Sequence, residues 1–182
     1  MINNRISPIT KSIVFIGFMG VGKTTIGQLV AKKLYRDFID IDQEIEKEYN
    51  MPTTEIFKQI GEKAFREKEK SLIEHFSQQP LKIISVGGGA FLQEEIRNIC
   101  LDNCIVFFLD LSWEYWKDRI NLIIDSRPVL QGRTLEEIKE LFNNRQEIYS
   151  YHHSKVKTDG LDVEEVADYI VESLKVTWDT HE

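Results

Sequence analysis

Cysteine is scarce in this sequence, and long apolar runs are missing. The 182 residues contain Cys100 and Cys104 but no second cysteine pair, which excludes a disulfide framework and a cysteine-rich metal site. We expect reduced thiols, at least one of them buried. No segment reaches the roughly 18 consecutive apolar residues that a membrane-spanning helix needs. The short apolar run at 13–16 does not resemble a signal peptide, so we expect a cytoplasmic protein.

Positive charge is also in short supply. The chain has 23 Lys and Arg residues against 30 Asp and Glu residues, which gives a formal net charge of −7 and a pI near 5.2. This balance argues against nucleic acid as a partner. It does not argue against a small anion in a local pocket, where a few arginines determine the electrostatic field.

Linkers, repeats and low-complexity segments are absent as well. We therefore predict a single domain over residues 1–182, with loose ends at 1–10 and 177–182. An acidic single domain without an obvious exposed apolar stripe favours a monomer.

A phosphate-binding loop is the strongest pattern that is present. Residues 17–25 fit G-x-x-x-x-G-K-[ST] between a strand-like run and a helical pattern. In that context, backbone N–H groups and the positive end of the helix dipole face an anion. We predict that Lys23 reaches the β- and γ-phosphates of a nucleotide and that the Thr24 hydroxyl binds Mg²⁺. The predicted ATP-binding residues of the loop are Gly20, Val21, Gly22, Lys23, Thr24 and Thr25.

Strand-like runs and amphipathic helical stretches alternate along the chain. The predicted strands are 12–16, 36–41, 81–86, 103–109 and 154–158. The predicted helices are 24–34, 42–48, 54–60, 61–78, 111–120, 135–149 and 163–175. Such alternation indicates an α/β three-layer sandwich with a parallel five-stranded sheet. Ligands of such sheets bind at the carboxyl ends of the strands.

Two carboxylates follow the second predicted strand. Asp40 and Asp42 are two residues apart, so in an extended segment both side chains point the same way. One carboxylate beside a phosphate loop can help to hold Mg²⁺, and the other can accept a proton from an attacking hydroxyl. Alternatively, Asp42 is the N-cap of the next helix and Asp40 a solvated turn residue.

Arginines and glycines supply the other candidates. Arg66 and Glu69 are neighbours on one helix face, so that Glu69 can orient the guanidinium, although a solvated face is the ordinary alternative. The run Gly87-Gly88-Gly89 after a strand indicates either a tight turn or a ligand close to the backbone.

A predicted lid spans residues 119–132. Arg127 lies within it, and a mobile arginine above a phosphate loop supplies positive charge and excludes water. The apolar stretch Leu122-Ile123-Ile124 is unusual for a mobile flap and is equally typical of a core. By itself Arg145 indicates only a surface position, and we assign the aromatic residues Trp113, Tyr115 and Trp116 to packing.

Taken together, these motifs resemble those of shikimate kinases over residues 13–174. The shared pattern comprises Gly17–Thr25, Phe38-x-Asp40-x-Asp42, Gly61-Glu62-x-x-Phe65-Arg66-x-x-Glu69, Gly87-Gly88-Gly89, Arg127-Pro128-x-Leu130 and Arg145-x-x-x-Tyr149. The resemblance implies a kinase of the nucleoside-monophosphate-kinase type that uses ATP, Mg²⁺ and shikimate to make shikimate 3-phosphate, a step towards chorismate and the aromatic amino acids.

The resemblance also implies roles for individual residues. Arg66 and Arg145 would bind the shikimate carboxylate, and Gly88 would approach the ring through its backbone. Asp42 would bind ring hydroxyls and act as the base, while Lys23 and Arg127 would serve catalysis at the phosphates. For the metal, the resemblance implies Thr24 as a direct ligand of Mg²⁺ and Asp40 as a residue close to the ion.

Some features depart from the family pattern, and two other functions stay open. The lid is apolar at 121–126, Arg119 is displaced from the usual lid arginine, and Val86 replaces a threonine that is common before the glycines. A kinase for another hydroxylated acid fits the same side chains. A non-catalytic nucleotide-binding regulator fits less well, because the loop lysine, Thr24 and both aspartates are present.

Overall fold

The computed structural model of the protein describes residues 7–180, and a parallel five-stranded sheet lies at its centre. The order of the strands is β2-β3-β1-β4-β5, and all neighbouring pairs are parallel. The strands are β1 (Ile13–Ile16), β2 (Asp37–Asp40), β3 (Lys82–Ser85), β4 (Ile105–Asp110) and β5 (Ser154–Lys157). This confirms the predicted α/β fold class.

Helices flank the sheet and connect its strands. They are α1 (Lys23–Leu34), α2 (Ile41–Tyr49), α3 (Thr53–Gln59), α4 (Glu62–Ser77), α5 (Glu94–Asn103), α6 (Trp113–Trp116), α7 (Ile120–Ile123), α8 (Leu135–Tyr149) and α9 (Val163–Asp179). Short 3₁₀ turns lie at Ala90–Leu92, Lys117–Arg119, Ile124–Ser126 and Pro128–Leu130. Between residues 7 and 180, no helix combines the length and the apolar character needed to cross a membrane.

The core follows from the apolar strands at the centre of the sheet. Every residue of β1 is fully buried, and β4 is buried from Val106 to Leu109. Continuous rather than alternating apolarity is typical of strands covered on both faces. The sheet therefore forms a rigid layer, and β1, β2 and β3 end close together at the edge where the phosphate loop begins.

Most observed elements lie within a few residues of the predicted ones, and the larger differences lie at 94–103 and 111–120. The helix Glu94–Asn103 was not predicted, because Ile96 and Cys100 are its only fully buried side chains and the apolar pattern is weak. It contains Asn103, which we had assigned to the next strand. The predicted helix 111–120 is interrupted by a 3₁₀ turn at Lys117–Arg119.

The predicted loose ends fall partly outside the described residues, since 1–6 and 181–182 are not described. Within the described part, the predicted tail was wrong for Thr177–Asp179, because α9 continues to Asp179. Trp178 explains the extension: its ring packs on the core and lies under the Arg36 guanidinium, 5.1 Å from the ring centroid.

Candidate active site

The phosphate loop joins β1 to α1 and forms the floor of the site. Gly20 and Gly22 have φ angles of 77° and 101°, a backbone region that favours glycine. A Cβ on Gly20 would also lie 2.7 Å from the Ile123 Cδ1 atom. Gly20 and Gly22 line a pocket above the loop together with Thr25, whereas the Val21 side chain is buried in the core.

Lys23 begins α1 and is buried. Its Nζ atom donates to the carbonyl oxygens of Gly17 and Phe18 at 2.8 and 3.0 Å. Burial and, to a smaller extent, the nearby Arg127 charge lower the pKa of Lys23 to about 7, although the Asp42 and Asp40 charges act in the opposite direction. A phosphate group at this position would counteract both effects, because an anion stabilises the charged ammonium form.

Thr24 and Asp40 lie in direct contact. The Thr24 hydroxyl donates to Asp40 Oδ2 at 2.7 Å, and the backbone N–H of Gln43 donates to Asp40 Oδ1 at 3.1 Å. Asp40 is therefore the N-cap of α2, and the alternative that Asp42 caps this helix was wrong. The extended spacing that we assumed for the two aspartates was also wrong, since α2 begins at Ile41.

Asp42 nevertheless reaches the site from the first turn of α2. Arg127 Nη1 lies 3.3 Å from its Oδ2 atom. Burial raises the pKa of the Asp42 carboxyl, and the Arg127 charge acts in the opposite direction. A carboxylate whose pKa is raised binds a proton more readily, which suits a general base.

Two pockets meet at Asp42. The phosphate pocket lies above the loop and contains Lys23, Thr24 and Asp40. The acid pocket lies beside it and contains Arg66, Arg145 and apolar side chains. The residues that line both are Met19, Asp42, Thr53, Gly87, Gly88 and Arg127. The arrangement places the Asp42 carboxylate between the phosphate pocket and a cavity that the Arg66 and Arg145 guanidinium groups help to line.

Arg66 is oriented by Glu69, as the spacing predicted. Arg66 Nη1 donates to both carboxylate oxygens of Glu69, at 2.9 and 3.2 Å. Glu69 is fully buried, and burial raises its pKa to about 7 even though the Arg66 charge lowers it. Gln93 Nε2 donates to the same carboxylate at 3.0 Å.

Arg145 is buried, and the prediction from its position alone, a surface arginine, was wrong. Its Nε and Nη1 atoms have no hydrogen-bond partner among residues 7–180, and burial lowers its pKa. Its guanidinium lies over the Phe18 ring, 5.6 Å from the centroid. A buried guanidinium with unused donors that borders a pocket favours an anionic ligand there.

The glycine run provides space for these side chains. A Cβ on Gly87 would lie 2.9 Å from Asp42 Oδ1, and one on Gly89 would lie 2.5 Å from Arg66 Nη2. A Cβ on Gly88 would approach the Met19 backbone nitrogen at 3.2 Å. None of the three has a positive φ, so close packing rather than turn geometry explains them. The approach of a ligand to Gly88 stays a prediction.

The predicted lid lies against the phosphate loop. Arg119 Nη1 donates to the Gly20 carbonyl at 3.3 Å, and Ile123 covers Gly20. Ile123 and Ile124 pack partly on the core, while Leu122 is 83% exposed. The apolar stretch thus serves partly as core, and its contact with the loop uses packing as well as charge.

Trp116 is a site residue that the sequence did not reveal. Its indole N–H donates to the Met19 carbonyl of the phosphate loop at 2.6 Å, and the side chain is fully buried. The indole N–H of a buried tryptophan usually has a hydrogen-bond acceptor. The sequence therefore implied an acceptor for Trp116 but did not identify it. The partner, 97 residues earlier in the chain, is determined by the tertiary fold.

Comparison with known proteins identifies one family consistently. The family model described as shikimate kinase matches residues 19–175. A shikimate kinase of Oceanobacillus iheyensis is 63% identical over 94% of this chain and 94% of its own length. A shikimate kinase of Bacillus subtilis is 61% identical over 94% of this chain and 93% of its own. The structure of a shikimate kinase from Acinetobacter baumannii in complex with shikimate superimposes with a TM-score of 0.86, at 28% identity, over 92% of this chain and 94% of that one.

Proposed function

The chain belongs to the shikimate kinase family, and we propose how its own residues transfer the γ-phosphoryl group of ATP to the 3-hydroxyl of shikimate. The activity supplies a step of chorismate and aromatic amino acid biosynthesis. The observation that supports the assignment of residues is the position of Asp42 between the phosphate pocket and the acid pocket.

The phosphate pocket binds ATP in this proposal. The loop residues Gly20 to Thr25 present backbone N–H groups and the start of α1 to the phosphates. Lys23 moves from the Gly17 and Phe18 carbonyls to the β- and γ-phosphates. Arg127 lies close enough to Asp42 to reach the transferring group from the lid side.

The acid pocket binds shikimate. Arg66, held by Glu69, and Arg145, which has unused donors, bind the carboxylate of the substrate. Planar guanidinium groups match a carboxylate in a bidentate way that a lysine does not. Gly88 lets the substrate ring approach the backbone, and Asp42 accepts hydrogen bonds from ring hydroxyls.

Transfer is direct and in line, without a covalent enzyme intermediate. The 3-hydroxyl oxygen forms the new bond to the γ-phosphorus while the bond to the bridging oxygen of ADP breaks, and Asp42 accepts the hydroxyl proton. Lys23 and Arg127 stabilise the charge on the transferring group. The raised pKa of Asp42 makes this proton acceptor stronger.

Thr24 and Asp40 suit a bound Mg²⁺. Their oxygens are hard donors in mutual contact, and Mg²⁺ in kinases is held by few protein groups together with phosphates and water. Residues 7–180 contain no cluster of three or more His, Cys, Asp or Glu side chains that could hold a metal, in keeping with such a sparse site. When bound, the ion neutralises charge on the β- and γ-phosphates.

We also propose that the chain works as a monomer in the cytoplasm. The net charge of −7 supports a monomer, because like charges on copies of the chain repel one another. Cys100 and Cys104 are free and buried, and burial raises the pKa of both thiols, which suits a reducing compartment.

The test is ADP release from Mg-ATP with shikimate, quinate or gluconate as the acceptor. We expect turnover with shikimate that far exceeds turnover with the other two acids. A preference for quinate or gluconate would contradict shikimate as the substrate but would still show that the protein is a kinase. Nucleotide binding without turnover on any acid would favour the non-catalytic regulator.

A further inference from the structure

Two parts of the chain donate to the same buried carboxylate. Glu69 lies on α4 and accepts from Arg66 on that helix, while Gln93 donates from the segment between the glycine run and α5. Glu69 Oε1 receives both donors, at 2.9 Å from Arg66 Nη1 and 3.0 Å from Gln93 Nε2. Arg66, Glu69 and Gln93 therefore form a hydrogen-bonded triad with the carboxylate at its centre.

Among residues 7–180, the Gln93 side-chain amide has no hydrogen-bond partner other than Glu69. Gln93 precedes α5 at its N-cap position, yet its side chain makes no capping hydrogen bond to that helix. Its backbone N–H donates to the Ala90 carbonyl, and its backbone carbonyl accepts from Arg97. A residue without the amide could keep both backbone contacts.

Glu69 depends on its donors to stay ionised. It is fully buried, and burial raises its pKa to about 7; the Asp42 charge on α2 acts in the same direction. The Arg66 charge and the Gln93 hydrogen bond lower it. Arg127 and Arg145 line the same pocket. A protonated Glu69 would lose most of its attraction for Arg66.

We propose that Gln93 is a positioning residue for substrate binding, which holds Glu69 as a fixed carboxylate so that Arg66 presents its guanidinium to the acceptor. The inference rests on the proposed function for the identity of that acceptor, a carboxylic acid. Without Gln93, Arg66 keeps a weaker partner in Glu62, whose Oε1 atom lies 3.6 Å from Arg66 Nε.

The first experiment measures Glu69 itself and needs no substrate. The Gln93→Leu variant keeps a similar volume and removes the amide. We expect a ¹³C NMR titration of the Glu69 carboxyl to show a pKa about one pH unit higher than in the wild type, the scale of one hydrogen bond to a charged group. The matched control is Gln79→Leu, because Gln79 pairs with His75 away from the site.

The second experiment measures kinetics against pH. Near pH 7 about half of the wild-type Glu69 carboxyls are ionised but only about a tenth of those in Gln93→Leu. The KM for shikimate in this variant should therefore rise about fivefold near pH 7 and return towards the wild-type value near pH 9. The values of kcat and of the KM for ATP should stay unchanged. In a Glu69→Gln background, Gln93→Leu should add no pH dependence.

Two results would overturn the inference: an unchanged titration of Glu69, or a rise in the shikimate KM that is the same at every pH. If wild-type protein did not phosphorylate shikimate, the proposed function would fail, whereas the titration would still decide whether Gln93 controls Glu69.

Discussion

At the scale of single residues, the site depends on buried or half-buried carboxylates that lie next to half-buried arginines. Asp42 contacts Arg127, and Glu69 contacts Arg66. In both carboxyls burial raises the pKa while the neighbouring arginine lowers it. Asp42 borders both pockets, whereas Glu69 lines the acid pocket and not the phosphate pocket. We therefore propose Asp42, and not Glu69, as the group that takes the proton from the acceptor hydroxyl.

Replacement of Asp42 by Asn tests this role. We expect kcat to fall by about 100-fold or more, the usual contribution of a general base, while the KM for ATP changes little. Steady-state kinetics with shikimate and ATP measure both values. Asp37→Asn is the control, because Asp37 lies on the same strand–helix segment and pairs with Lys82 at the surface, away from both pockets. Near-full activity of Asp42→Asn would remove Asp42 from the base role.

At the scale of elements, α6 packs against the phosphate loop and supports it. Trp116 donates to the Met19 carbonyl, and its ring packs against Phe18, with centroids 4.9 Å apart. Phe18 in turn contacts Phe142 of α8 and lies under Arg145. One aromatic cluster thus fixes the loop and the arginine of the acid pocket relative to each other.

Replacement of Trp116 by Phe tests this support. The ring remains, but the Met19 carbonyl loses its donor, which costs about 1–3 kcal/mol for a buried acceptor. We expect the KM for ATP to rise about tenfold, an effect of about 1.4 kcal/mol. The control is Trp113→Phe, since Trp113 stacks on Trp116 without donating to the loop. Equal ATP KM values for the two variants would contradict the role of the hydrogen bond.

At the scale of the whole molecule, Arg36 links the first and last described segments. Its guanidinium donates to the carbonyls of Lys11 and Ile9, at 2.9 and 2.6 Å, and lies over Trp178. The N-terminal segment, the end of α1 and the end of α9 meet there. This contact explains why α9 continues beyond the amphipathic pattern that we used to predict its end.

Replacement of Arg36 by Ala should lower the free energy of unfolding by about 2 kcal/mol, because two hydrogen bonds of about 1 kcal/mol each are lost. Urea denaturation followed by circular dichroism measures the change. Lys33→Ala is the control: Lys33 also joins α1 to α9, through Glu164 and Asp168, but these pairs are exposed and should contribute much less. An equal loss in both variants would show that burial of Arg36 adds nothing.

The sequence alone determined the fold class, the phosphate loop and the orientation of Arg66 by Glu69. These features depend on residues that are close together in the sequence. They are the pattern of the loop, the hydrophobic period of helices and strands, and the spacing of three residues on a helix. The capping role of Asp40 and the burial of Arg145 are different, because capping depends on where α2 begins and burial depends on which elements pack together.

Only the tertiary structure placed Trp116 on the loop, Gln93 on Glu69 and Arg36 on Trp178. Each contact joins residues far apart in the chain, so no period or spacing in the sequence marks it. The glycine run shows the same division: its position was evident from the sequence, but its physical reason, room for Asp42 and Arg66, required the packed structure. Local propensity determined the elements, and the packing of the elements determined which side chains meet.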